Sequence, residues 1–362
     1  MSATTHARLM QHLPLVLLLA ACAEPSAIAP CLDLAEVRRY GVMDDSESDD
    51  AAPGVLGDIR GIVPGPNGDV FVLDRSAHRI VAFDSTGAAR VVAGRSGEGP
   101  GEFSLPMHLT STGRGVSVPD YELRRITEFD WSGRLLHVTR LESSPPPWRH
   151  IVRNDTAWVA YNQNTSGDKL FDIVRLATSE VTAGLGLEQE DIPFGAGIGI
   201  AFTSKGELVV NTARPGVWMA QSGDSWTRRG TPRFPDDVPP REEQTGPFQS
   251  RVTPAQHTSS GLAVIGDSLI LQGTFSYPRP FDWNDPPARD EGVLSLDVYR
   301  ADGRHVTNLP IPSGAVTNVV TSDPVTGRIF LPVNQPFPQV VEYTLEKCER
   351  RPVVSLLSYG RT

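Results

Sequence analysis

The 362-residue chain holds only three cysteines and eight histidines, and its Lys and Arg form no clusters. No H-x-H, H-E-x-x-H or C-x-x-C spacing occurs, so no local motif declares a metal site. A site drawn from distant parts of the chain would leave no such motif, so a structural or catalytic divalent metal stays open while no cofactor is indicated. The formal net charge of −10, without basic patches, argues against nucleic acid and against anionic membrane surfaces as partners. No long segment has the 3.6-residue periodicity of an amphipathic helix. What the chain does have is 33 Gly and 31 Pro punctuating short alternating apolar runs, with 39% hydrophobic residues overall, which suits a turn-dense all-β protein.

The most legible stretch lies between Gly57 and Pro106. Four runs rich in β-branched and aromatic residues, Ile59 to Val63, Val70 to Asp74, Arg79 to Asp84 and Ala89 to Ala93, are cut off by turn residues such as Pro64-Gly65-Pro66-Asn67-Gly68 and Ser85-Thr86-Gly87. Four short strands within about fifty residues make one antiparallel meander, too small to bury its own faces. A second copy follows. Asp74, Arg79-Ile80, Phe83-Asp84 and Gly87 recur as Asp120, Arg125-Ile126, Phe129-Asp130 and Gly133, each displaced by 46 residues. A period of 40 to 50 residues with four strands per unit marks the blade of a β-propeller.

The segment PNGDVFVLDRSAHRIVAFDSTG resembles the NHL-type repeat of six-bladed β-propellers, with His78 where that family usually has Asn. The connector GEGPGEFSLP resembles one carried by bacterial six-bladed propeller lipoproteins. The likeness is strong over about 55–140 and fades afterwards. It implies one all-β domain over 31–362, a six-bladed propeller of four-stranded antiparallel blades whose N-terminal strand, Leu34 to Val42, completes the last blade. Blade one falls at 55–102 and blade two at 103–144. Blade three lies near 148–187, and blade four includes Glu207 to Asn211 and Val217 to Gln221. A Pro- and charge-rich loop, Pro232 to Gly246, then leads into an oversized blade five at 247–313, with strands at Ser250 to Thr253, Gly261 to Gly273, Val293 to Tyr299 and His305 to Leu309. Blade six begins near 314. Seven blades result only if blade five is two.

The first 22 residues read as a secretory signal: Arg8, then a short apolar run from Leu13 to Ala21. Their end, Leu19-Ala20-Ala21-Cys22, resembles the lipobox of bacterial lipoproteins. That resemblance implies a signal peptide over 1–21, lipidation at Cys22, a lipid-anchored tether over 22–30 and an extracytoplasmic propeller on the cell envelope. Ala23 after the cysteine points to the outer membrane. Removing 1–21 takes away one cation and no acid, so the charge becomes −11. If the N-terminal strand pairs with the last blade, Cys31 and Cys348 meet and a disulfide forms in an oxidising compartment; the alternative is two free thiols. The acidic tract 44–54 lacks the glycine and terminal glutamate of a calcium loop and reads as a solvated linker.

Catalytic motifs are missing. Gly94-Arg95-Ser96-Gly97-Glu98 ends in Glu rather than Gly and lies between strands of a meander, so it is a connector, not a nucleophile elbow. The expected function is a non-catalytic binding or scaffold module for a protein, peptide or glycan partner, acting as a monomer. Its candidate binding residues are Arg60, His108, His150, His257, Tyr277, Trp283 and Asp285. The last three belong to the Pro- and aromatic-rich excursion Tyr277 to Glu291, the kind of insertion a rigid scaffold tolerates only at its surface. The alternative is an axial site: related propellers include metal-dependent lactone hydrolases and lyases of the NHL type, whose residues have no positional match here.

Overall fold

A computed structural model describes residues 32–43, 52–141, 151–153, 157–161, 171–175, 181–184, 199–203, 205–222, 225–238, 241–246, 249–266, 268–288, 291–323 and 325–347. Cys22, Cys31, Cys348, His150 and most of the acidic tract lie outside the described residues.

The strands, in chain order, begin with β1 (Leu32–Tyr40). The first meander is β2 (Ile59–Pro64), β3 (Val70–Asp74), β4 (Arg79–Phe83) and β5 (Ala89–Ala93). The second is β6 (Thr110–Ser111), β7 (Gly115–Asp120), β8 (Arg125–Asp130) and β9 (Leu135–Arg140). Then follow β10 (Ile151–Arg153), β11 (Ala157–Tyr161), β12 (Phe171–Arg175) and β13 (Val181–Gly184), and after them β14 (Ile200–Phe202), β15 (Leu208–Asn211), β16 (Val217–Ser222) and β17 (Ser225–Gly230). A hairpin comes next, β18 (Arg241–Gly246) with β19 (Gln249–Thr253). The fifth meander is β20 (His257–Ile265), β21 (Leu269–Ser276), β22 (Val293–Arg300) and β23 (His305–Pro310). The chain closes with β24 (Thr321–Ser322), β25 (Ile329–Val333) and β26 (Gln339–Lys347).

Pairing gives six four-stranded antiparallel sheets and the two-stranded hairpin. Side chains are described through five of the six sheets; in the sheet β10–β13 only the backbone pairing and the buried Trp158 are. The innermost strands β2, β6, β10, β14, β20 and β24 each contact the next, and β24 contacts β2, so the ring is closed. Closure is covalently non-local: β1 pairs antiparallel with β26, Leu32 opposite Lys347 and Tyr40 opposite Val340, in the sheet order β1-β26-β25-β24. The β-propeller architecture follows.

The landmarks that repeat every 46 residues are structural. Asp84 Oδ1 accepts the Thr86 and Ala88 N–H groups, and Asp130 Oδ1 those of Ser132 and Arg134, closing the third hairpin of each meander in an Asx-type turn. Gly87 (φ +89°) and Gly133 (φ +85°) supply the left-handed residue that this turn requires. Asp74 accepts the N–H groups of Gly57 and Asp58, and Asp120 those of Ser104 and Leu105, so each carboxylate ties its strand to the incoming connector. Asn211 does the same for Gly199 at 2.6 Å. The buried Arg125 donates to the carbonyls of Glu98, Gly99 and Glu102 and so holds the Gly-rich connector against the blade. The core lies between sheets: Val72, Val81, Phe83 and Tyr40 pack with Val340 and Phe330, and Leu271, Leu296 and Val298 pack with Ile329, Leu331 and Val341.

Blade five departs from the sequence expectation. Gly261 to Gly273 is two strands, β20 and β21, because Gly266 takes φ +54° and turns the chain. Ser250 to Thr253 belongs not to the blade but to the separate hairpin, whose other strand, Arg241–Gly246, occupies the end of the segment expected to be a loop. In the last sheet, Val316 to Thr321, which reads as a strand from its β-branched residues, is mostly a 3₁₀ turn at Thr317–Val319, and the strand starts only at Thr321.

Candidate functional site

Three departures from the blade repeat meet beside β20: the 231–238 loop, the β18–β19 hairpin and the start of the 277–291 excursion. Between them lies a groove of about 560 Å³, walled by Phe234, Pro235, Pro254, His257, Pro280 and Phe281, with Asp236, Asp237, Arg241 and Glu243 at its margins.

Each wall is held by a specific contact. Arg233 pairs with the fully buried Asp297 and so anchors the 231–238 loop to β22. Burial pushes the Asp297 carboxyl upward, but hydrogen bonds from His305, Thr274 and Asn308 and the Arg233 charge together hold it below the usual carboxylate range. Asp237 accepts the backbone N–H of His257 at 2.9 Å, fixing the loop to the first residue of β20. The His257 ring stacks on Phe234 with centroids 3.7 Å apart and planes within 12°, and burial lowers its pKa. Across the groove, Tyr277, Phe281 and Trp283 form a chain of tilted rings at 5.6 and 5.0 Å. Trp283 Nε1 donates to Thr253 Oγ1 at 2.9 Å, and the Arg251 guanidinium lies 5.2 Å from its ring centre, so the hairpin is pinned to the excursion. Farther along the excursion Asp285 pairs with Arg279 at 2.9 Å.

A second cavity, of about 390 Å³, lies on the ring axis. Ile62, Leu109, Ile200, Leu262 and Val319 wall it, and His108, Asn318 and Asp323 are its polar residues of note. His108 Nδ1–H donates to the Arg60 carbonyl at 3.2 Å, and burial depresses the imidazole pKa to about 4, so the ring is neutral at pH 7. Arg60 itself pairs with Asp58 at 2.9 Å and faces a separate cavity that shares Asn318 with the axial one. Among the described residues no group of three or more His, Cys, Asp or Glu is placed to hold a metal ion.

The seven candidates of the sequence therefore separate. His257 lines the groove, Tyr277 and Trp283 pack against its Phe281 wall, and Asp285 pairs with Arg279 on the same excursion; His108 lines the axial cavity, Arg60 faces a separate one, and His150 lies outside the described residues. Sequence reasoning missed Phe234, Asp236, Asp237 and Arg241. The available signal was the density of proline and charge between Pro232 and Gly246, but nothing in it says that this segment folds onto the 277–291 excursion.

The two sites lie at different places along the inner strands. The axial cavity is lined by the last residues of the inner strands, Pro64, Ser111 and Phe202, whereas the groove adjoins His257, where β20 begins. Strand β1 starts on the cavity's side: Ser322, ending β24, pairs with Ile329, Ile329 with Tyr343, and Tyr343 with Glu36 in the first half of β1.

No protein-family model matches the chain, and no curated protein does. Solved structures do. A DUF4221 family member from Bacteroides vulgatus matches with a TM-score of 0.61 at 10% identity, over 88% of this chain and 100% of the other. A protein from Bacteroides fragilis described as exported matches at 0.57 and 11% identity, over 88% and 96%. A streptogramin B lyase matches at 0.51 and 11% identity, over 87% and 98%. At these identities the likeness establishes the propeller fold. No helix among the described residues is long and apolar enough to cross a membrane.

Proposed function

We propose that the chain is an NHL-like, six-bladed propeller lipoprotein of the bacterial envelope. In this reading it is anchored through Cys22 at the outer membrane and binds a protein, peptide or glycan without turning it over. The observation that carries the binding reading is the groove: three insertions outside the blade repeat, each pinned by its own polar contact, converge on one aromatic-walled recess. Its orientation supports the same reading. A tether entering β1 from Cys22 joins the ring on the face opposite the groove, so the groove looks away from an anchoring membrane. Partner recovery from envelope fractions should be lost on Phe281→Ala with an unchanged melting temperature; recovery equal to wild type refutes the binding site. The axial cavity, with its neutral His108, favours a second reading, a metal-dependent lactone or ester hydrolase or a lyase. Turnover of such a substrate, abolished by chelation or by His108→Ala, would establish that reading instead.

A further inference from the structure

The charge around the groove is not evenly compensated. Of the two arginines that line it, Arg233 is spent on Asp297, and the neighbouring Arg251 and Arg279 are spent on Glu243 and Asp285. Asp236 makes no hydrogen bond or ion pair among the described residues, and Asp237 uses its carboxylate only on two backbone N–H groups, of Gln256 and His257. The 231–238 end of the groove is thus negative, in a chain of net charge −10, and cations are steered toward it. Opposite, Arg241 lines the rim without a described partner.

The aromatic walls narrow the ligand further. Flat ring faces that would stack on a sugar are already used: Phe234 is covered by His257, and one face of Trp283 by Arg251. The Trp283 N–H, which could donate to a hydroxyl, is given to Thr253. What remains open is the recess itself, with Phe281 on one wall and the exposed Pro235 and Pro280 beside it. An aromatic-lined groove suits a polyproline II segment, which reaches the site already extended and loses little entropy on docking.

We infer that the groove takes an extended, proline-bearing peptide segment of a partner protein, with a basic side chain set against Asp236 and Asp237. This rests on the binding-module reading above. The test uses the purified full chain and a fluorescently labelled synthetic peptide of repeating Arg-Pro-Pro units, followed by polarisation. Saturable binding is expected, weakening at least tenfold on Asp236→Arg and on Phe281→Ala, decreasing with salt, and failing for the Glu-Pro-Pro counterpart. Asp236→Asn, a milder change at the same exposed residue, should give a smaller loss in the same direction with an unchanged melting temperature. No binding, equal binding of the acidic peptide, indifference to Asp236→Arg, or displacement by an oligosaccharide would each overturn the inference. If the peptide fails while Phe281→Ala still abolishes partner recovery, the ligand class is wrong and the groove is right; if neither responds, the groove itself is wrong.

Discussion

Strand β1 reaches the last sheet from the far end of the sequence, and one buried carboxylate fastens it. Glu342 on β26 is fully buried, and its Oε2 accepts the Tyr40 hydroxyl at 2.5 Å while Oε1 pairs with Arg328. Tyr40 is itself 1% exposed, and its ring packs on Phe83 of the first meander with centroids 5.6 Å apart. Tyr40→Phe keeps that packing and removes only the hydroxyl. A hydrogen bond to a charged group is worth about 1.5–3 kcal/mol, and the change leaves one oxygen of a buried carboxylate undersatisfied. With an unfolding entropy of about 2 cal/mol/K per residue over roughly 300 residues, the melting temperature should fall by about 2–5 °C. In urea the midpoint should drop with an unchanged slope. Burial, reinforced by the Glu342 hydrogen bond, raises the Tyr40 pKa. The folded protein therefore keeps this proton at pH values where the unfolded chain has released it. The stabilisation is complete below the ordinary tyrosine pKa, about 10, and fades above it, and Tyr40→Phe should remove that part of the alkaline slope. A loss under about 0.5 kcal/mol with an unaltered alkaline limb would refute the assignment of ring closure to this hydrogen bond.

If the β1–β26 register, Leu32 opposite Lys347, continues one residue outward, Cys31 will fall opposite Cys348. Antiparallel partners lie about 4.5–5.5 Å apart at Cα, within disulfide range, and closing a loop of about 320 residues contributes at most about 5–6 kcal/mol. A non-reduced digest should show the two peptides linked, and two free thiols after expression in an oxidising compartment would exclude the bond. Arg124 holds φ +48°, the left-handed conformation also taken by His78 at φ +53° one repeat earlier. Asn tolerates that conformation better, so Arg124→Asn should raise stability by about 0.5–1 kcal/mol, and a lower urea midpoint would contradict this. Burial lowers the His108 pKa to about 4. The stability this residue contributes is present above about pH 6.5, the unfolded value, and is lost as pH falls through 4. His108→Gln should flatten that acid limb, and an unchanged pH profile would place His108 in contact with water.

The blade unit was legible because its rules are local. Asp84 and Asp130 close their turns on N–H groups two and four residues away, and Gly87 and Gly133 supply the left-handed backbone there, so identical chemistry recurs at a constant offset. Alternating apolar runs placed Val70–Asp74 and Ala89–Ala93 correctly. Arg124 shows where the copies can drift: the conformation is kept at the position of His78 while the residue changes, so the backbone repeats more faithfully than the letters. The N-terminal strand was likewise expected, since a ring needs a partner for its last blade.

Only the folded ring decided the rest. The hairpin Arg241–Gly246 with Gln249–Thr253 looked like loop and blade, because its partner surface, Trp283, lies thirty residues beyond Thr253 and comes near only when blade five folds. Arg233 and Asp297 are 64 residues apart, and no periodicity links them. The separation of His108 from His257 is equally tertiary: the closed ring carries the first to the axial cavity and the second to the groove. Local turn chemistry, written within five residues, specified the blade; long-range side-chain contacts, which leave no trace in spacing, specified the site.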